Sequence, residues 1–118
     1  VTSRGDVVIV AFPFVDGGRG KNRPALVIQG DRNNRRLLNT IVAMITGNVR
    51  LAATEPTQLM IDPATPEGRA SGLSHPSAVK CENLFTVRQQ DILRTLGGLP
   101  KSTMGRVDDC LKAALELA

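Results

Sequence analysis

Along most of the chain the apolar positions alternate with polar ones or gather in short blocks, the spacing of strands rather than helices. Three blocks carry this best: DVVIVAF (6–12), PALVIQ (24–29) and LLNTIVAMI (37–45), rich in Val and Ile and bounded by Gly, Pro, Asn or Asp. The polar connection GDRNNRR (30–36) predicts a turn that pairs the second and third strands antiparallel. Weaker strands are expected at TQLMI (57–61) and SAVKCENLF (77–85). Between them DPATPEGRASGLSHP (62–76), with three prolines and two glycines, reads as a long exposed loop.

The period then changes. Met104, Val107, Leu111, Ala114 and Leu115 recur at helical spacing, with Ser102 placed to cap the start. Gly105 in the first turn costs about 1 kcal/mol relative to Ala and softens that boundary. A short helical stretch is expected within RQQDILR (88–94), followed by a strand around RTLGGL (94–99). The sum is a mainly β fold of five or so short strands, closed into a small barrel with one helix packed outside.

Composition narrows this picture without changing it. With 118 residues, one domain over 1–118 is the expectation. No apolar run approaches the roughly 18 to 20 residues that span a bilayer, and VTSRGDVVIV has no signal-peptide pattern, so no membrane association and a cytoplasmic location are expected. Cys81 and Cys110 are too few for a disulfide framework and stand at no metal-ligand spacing, so both read as small buried residues. The net charge of +4 is uneven: residues 1–50 hold eight Lys or Arg against three Asp, whereas 51–118 hold seven against eight acids. A basic first half favours a polyanionic partner such as nucleic acid, although a charge run is more often a solvated face.

The order RGDVV…F…D…KNRPALVI, then IVAMITGN, then GLSHPSAVKCENLFTV and LGGL, then an amphipathic C-terminal helix, resembles the MazF/PemK family of toxin endoribonucleases from Arg4 to about Leu117. RGDV or RPALVI alone is weak, but four blocks in this order and spacing are fairly specific. The resemblance implies an SH3-like barrel of the CcdB/PemK plasmid-toxin type over 1–118, usually a homodimer. It implies cutting of single-stranded RNA without a metal or other cofactor, and a cognate antitoxin protein that covers the active groove.

Three constellations carry the expected chemistry. In GGRGKNRPALVIQ (17–29), Arg23 stands at a loop–strand junction, where a rigid strand start can aim its planar fork of donors at a phosphate. The residues alone leave it open as an ordinary surface arginine beside a strand-starting proline. In MITGN, Thr46 at a strand end can donate its hydroxyl to a phosphoryl oxygen or the 2′-hydroxyl, or else belong to a plain capping turn. The family pattern is commonly Thr-Ser-Asn, so Gly47 is a departure that removes one hydroxyl. In KCEN, a regular strand puts Lys80 and Glu82 on one face and Cys81 on the other. That pair either serves catalysis or forms an exposed ion pair worth under about 1 kcal/mol.

RNA-binding roles are further expected for Arg19 and Lys21, whose charge adds sequence-independent attraction to a phosphate backbone, and for Asn22, Phe14 and Asn48. With three Phe and neither Trp nor Tyr, stacking platforms are scarce, and Phe14 in the first loop is the candidate. The only histidine, His75, reads as a surface residue and rules out a paired-histidine mechanism within one chain. No DxD or HxH grouping points to a metal. The expected reaction is attack by the RNA's own 2′-hydroxyl, giving a 2′,3′-cyclic phosphate and a 5′-hydroxyl. Arg23 would stabilise the phosphorane-like charge and protonate the leaving oxygen, Thr46 hold a phosphoryl or sugar oxygen, and Lys80 and Glu82 supply a cation and a base. The alternatives are a non-catalytic toxin on the same barrel, such as a CcdB-like gyrase inhibitor, and a barrel that binds RNA without cutting it.

Overall fold

A computed structural model of the chain describes residues 2–15 and 19–118, and the side chains of all of these except 13–15, 19 and 20. The elements follow in the order β1 (Asp6–Val15), β2 (Arg19–Val27), α1 (Asp31–Arg36), β3 (Asn39–Thr46), β4 (Gln58–Ile61), α2 (Pro66–Ala70), β5 (Ser77–Arg88), a 3-10 turn (Gln89–Asp91), β6 (Ile92–Gly98) and α3 (Lys101–Leu115). Six strands form one sheet in the order β4-β5-β3-β2-β1-β6, and every neighbouring pair is antiparallel. The mainly β class with a C-terminal helix is as expected, with six strands rather than five.

Alternation along the strands builds two cores from one sheet. Val7, Leu26, Ile45, Val79 and Cys81 face α3 and meet Met104, Val107 and Cys110 there. Their neighbours Val8, Val10, Ala25, Val27 and Val42 form a second buried cluster with Phe12 that contains no helical residue. A sheet face this dry without a helix over it is covered by the sheet's own curl, which is the barrel-like element of the fold. Among the described residues, no helix is long and apolar enough to cross a membrane.

Four local readings differ. The connection between β2 and β3 is the short helix α1 rather than a plain turn, closed by a buried network: Thr40 Oγ1 donates to Asn34 Oδ1 (2.7 Å), Gln29 Nε2 to the same oxygen (2.9 Å), and Asn34 Nδ2 to the Gln29 carbonyl (3.0 Å). Segment 62–76 is no loose loop, because Thr65 caps α2, accepting from the Gly68 N–H at 3.1 Å, and Pro66 opens it. This segment lies directly on β6: a Cβ at Gly97 would stand 2.2 Å from the Ala70 carbonyl oxygen. α3 starts at Lys101 after Pro100, so Ser102 lies inside the first turn and caps nothing. Finally, β2 begins well before Pro24, which puts Arg23 inside a strand, opposite Val10 of β1, and not at a loop junction.

Arg4 braces the helices to this sheet. Its N–H donates to Asp31 Oδ1 (2.6 Å) at the start of α1, its Nε to the Ile28 carbonyl (2.8 Å), and its Nη2 to Asp108 of α3 (2.5 Å).

Candidate active site

The β2–β3 ladder is short, pairing Ala25–Val27 with Val42–Met44 and stopping there. Among the described residues, 19–24 of β2 therefore have β1 on one side and no partner strand on the other. Pro24, which has no N–H to give a ladder, suits that free edge. Where the strands part, a recess of about 270 Å³ opens, lined by Phe12, Arg23, Met44, Ile45, Thr46, Lys80, Asn83 and Phe85.

Its floor is the end of the second apolar cluster, Phe12 and Met44, and its rim is cationic and polar. Arg23 is half-buried, and among the described residues no acceptor holds its guanidinium. Thr46 Oγ1 accepts from the Asn48 N–H at 3.1 Å, so its own O–H remains available to an incoming oxygen. Asn48 Oδ1 in turn accepts from the Arg50 N–H at 3.2 Å, and the two turns fix the chain as it leaves β3.

Lys80 reaches the recess from β5, where the pairing is irregular. Ala43 is opposite Leu84 while Met44 is opposite Lys80, so residues 81–83 are extra on the β5 side. An insertion of three is odd and reverses the alternation. Lys80 and Asn83 line the recess, whereas Glu82 does not, although its carboxylate stays close to Lys80 by way of Gln58, the cross-strand partner of Lys80. The Glu82 carboxylate turns instead to the start of β4, accepting from Thr57 Oγ1 (3.0 Å) and Gln58 Nε2 (2.8 Å). Partial burial pushes its pKa up, but the bond from Gln58, a backbone N–H, the Thr57 hydroxyl and the Lys80 charge outweigh this and hold it below the usual carboxylate range.

Arg23, Thr46 and Lys80 thus converge, and Glu82 sits one step behind them. Asn48 borders an adjoining smaller recess that shares Thr46 and Lys80. Lys21 and Asn22 are exposed on β2 just before Arg23 and outside the lining. The Arg19 and Phe14 side chains lie outside the described residues. Phe85, 42% exposed, is an aromatic surface that the sequence reading missed, held edge-on to Phe12 with ring centroids 5.4 Å apart. Asn83 and Gln58 were missed as well. His75 is exposed as expected, and Gly47 lies under it: a Cβ there would come within 3.2 Å of His75 Nε2. Cys81 and Cys110 are buried and free, and burial pushes the Cys81 thiol up to about 12, which makes it inert.

Residues 3–115 match the family model described as PemK-like, MazF-like toxin of type II toxin-antitoxin system. The chain belongs to this PemK/MazF toxin family. Endoribonuclease EndoA of Bacillus subtilis (strain 168) is 32% identical over 118 residues, covering 99% of this chain and 97% of that protein. Endoribonuclease MazF6 of Mycobacterium tuberculosis (strain H37Rv) is 38% identical over 98 residues, covering 82% of this chain and 81% of its own. Among solved structures, an endoribonuclease in complex with its cognate antitoxin from a mycobacterial species shares the fold with a TM-score of 0.77 at 23% identity, covering 100% of this chain and 98% of that one. Mycobacterium tuberculosis toxin MazF-mt6 superposes with a TM-score of 0.73 at 27% identity, covering 94% and 98%. The PemK/MazF fold thus accounts for the whole sheet and α3.

Proposed function

We propose that this PemK/MazF chain, acting as one toxin domain over 1–118, is a sequence-specific endoribonuclease that cuts single-stranded RNA in the cytoplasm and is silenced by a cognate antitoxin. The observation that carries this is the convergence of Arg23, Thr46 and Lys80 on one recess with an apolar floor. Two cations and a free hydroxyl donor match the oxygens of a phosphodiester, and Phe85 offers a face for a base. A purely non-catalytic binder has no need of unpartnered donors gathered at the same point.

In the reaction the 2′-oxygen attacks the adjacent phosphorus while its proton passes, through one intervening water, to Glu82, the ionised carboxylate set one step behind the recess near Lys80. Arg23 and Thr46 bind the phosphoryl oxygens as negative charge accumulates. The P–O5′ bond breaks and the leaving oxygen takes a proton from Lys80, an ammonium being a far better proton donor than a guanidinium. The products are a 2′,3′-cyclic phosphate and a 5′-hydroxyl, and no metal enters the step. Incubating the protein with a long single-stranded RNA in EDTA and mapping the new 5′ ends tests this. Cuts at one recurring motif with 5′-hydroxyl ends are expected, while cleavage that chelation abolishes refutes the mechanism.

A further inference from the structure

Behind Thr46 and Lys80 lies the smaller recess of about 70 Å³, walled also by Asn48, Leu51 and Gln58. That is room for a hydroxyl or amino group and too little for a whole base. Gln58 is 93% buried, since only 7% of it is exposed, and its two ends are treated differently. Nε2 donates to Glu82 Oε2 at 2.8 Å, but Oε1 is buried with no hydrogen-bond partner among the described residues. A buried acceptor left without a donor costs on the order of 1–3 kcal/mol.

The orientation is not free. An ionised carboxylate is acceptor-only, so Glu82 obliges Gln58 to turn its NH₂ end toward β5 and its oxygen away. The groups facing that carboxylate agree: Lys80 beside it on β5, Thr57 and Gln58 from β4 and its approach, Glu55 sharing the Thr57 hydroxyl at 3.1 Å, and the neutral thiols of Cys81 and Cys110.

The geometry points to Gln58 as a specificity-determining residue, whose Oε1 accepts a hydrogen bond from an O–H or N–H donor of the RNA nucleotide lodged beside Thr46 and Lys80. This rests on the ribonuclease reading and deepens it. A site built to receive one donor discriminates against a nucleotide that lacks it, because the acceptor is then left unpaired. Two donors fit the space, a ribose 2′-hydroxyl and a base amino group.

The test uses the full chain and short RNAs that span the mapped cut and are made uncleavable by one 2′-deoxy nucleotide at the cut itself. Against the parent protein, flanking positions lose a single donor at a time, the 2′-hydroxyl in one arm and the exocyclic amine in the other. At one position, one arm is expected to lose roughly tenfold in affinity. Gln58→Met, close in size and checked by circular dichroism, should bind both RNAs equally at the weaker level. Glu82→Gln, which keeps Gln58 but ends the constraint on its amide, should shrink the preference. The inference is overturned if no single donor matters to the parent, or if Gln58→Met keeps the parent's preference while the parent still cuts RNA. A parent that neither binds nor cuts RNA brings down the ribonuclease reading itself.

Discussion

Arg23 and Thr46 each stand two residues beyond Ala25 and Met44, the last residues paired between β2 and β3. An even offset keeps both on the face of their paired neighbours, so this arginine and threonine occupy the next same-face position of a ladder that has stopped. The recess is the space between two strands that have ceased to pair but still point their side chains the same way.

Arg23→Ala is expected to leave the fold intact, since the side chain is only half-buried and holds nothing in the protein; stability should move by about 0.5 kcal/mol or less. Single-turnover cleavage at saturating RNA should fall by roughly 10² to 10³, and Arg23→Lys should recover part of it by restoring charge without the fork. A rate for Arg23→Ala within threefold of the parent would contradict the role given to it.

Thr46→Val keeps the branched shape and removes the hydroxyl. It deprives the Asn48 N–H of its acceptor and the substrate of a donor, so cleavage should drop by roughly tenfold or more, while Thr46→Ser stays near the parent. Equal losses in both variants would show that the methyl group matters and the oxygen does not.

Phe85→Ala should weaken RNA binding by about 1–3 kcal/mol if a base stacks on the exposed ring, with less effect on the rate at saturation. Fluorescence anisotropy with uncleavable RNA reads the affinity directly; an unchanged value would leave Phe85 as a prop for Phe12 alone.

The pH dependence follows from the sign of the Glu82 shift. Because the folded pKa is lowered, the stability drawn from its bonds to Gln58 and Thr57 is present above the ordinary carboxylate range and is lost as pH falls through the folded value. Cleavage by a Glu82 base should therefore stay level from neutral down to pH about 5 and decline only below the usual glutamate pKa of about 4.3. Glu82→Gln should lower the rate at all these values and lose that acid limb. A limb retained in Glu82→Gln assigns the proton to another group.

Gly97→Ala should destabilise the fold by roughly 1–3 kcal/mol, because the new methyl collides with the Ala70 carbonyl and α2 must lift from β6. Denaturant melts measure this. The affected contact is remote from Arg23, so cleavage by the folded fraction should be unchanged.

That Arg23, Thr46 and Lys80 line one recess was legible in the family pattern, whereas the residues alone set Arg23 at a loop junction rather than within β2. The strand blocks were legible too, since Val and Ile concentrate in them. The bulge at 81–83 was not, because pairing irregularities depend on two neighbours at once and leave no mark in one strand's composition. Missing it hid Asn83 and the setting of Glu82 behind the recess rather than in its wall. Gln58 carried no signal, being one polar residue in a four-residue strand. The helix α2 did carry one, Thr65 followed by Pro66, which was outweighed by the count of prolines and glycines around it.

The three extra residues of β5 also restrict how this segment can change in length. Removing one residue between Cys81 and Asn83 would exchange the apolar and polar walls for everything on one side of the gap, sending either Lys80 or Phe85 into the opposite core. Removing two would shorten the reach of the strand but keep each side chain on its own face. Homologous chains that preserve the recess should therefore differ here by even numbers of residues, a constraint on alignment that comes from pleat geometry alone.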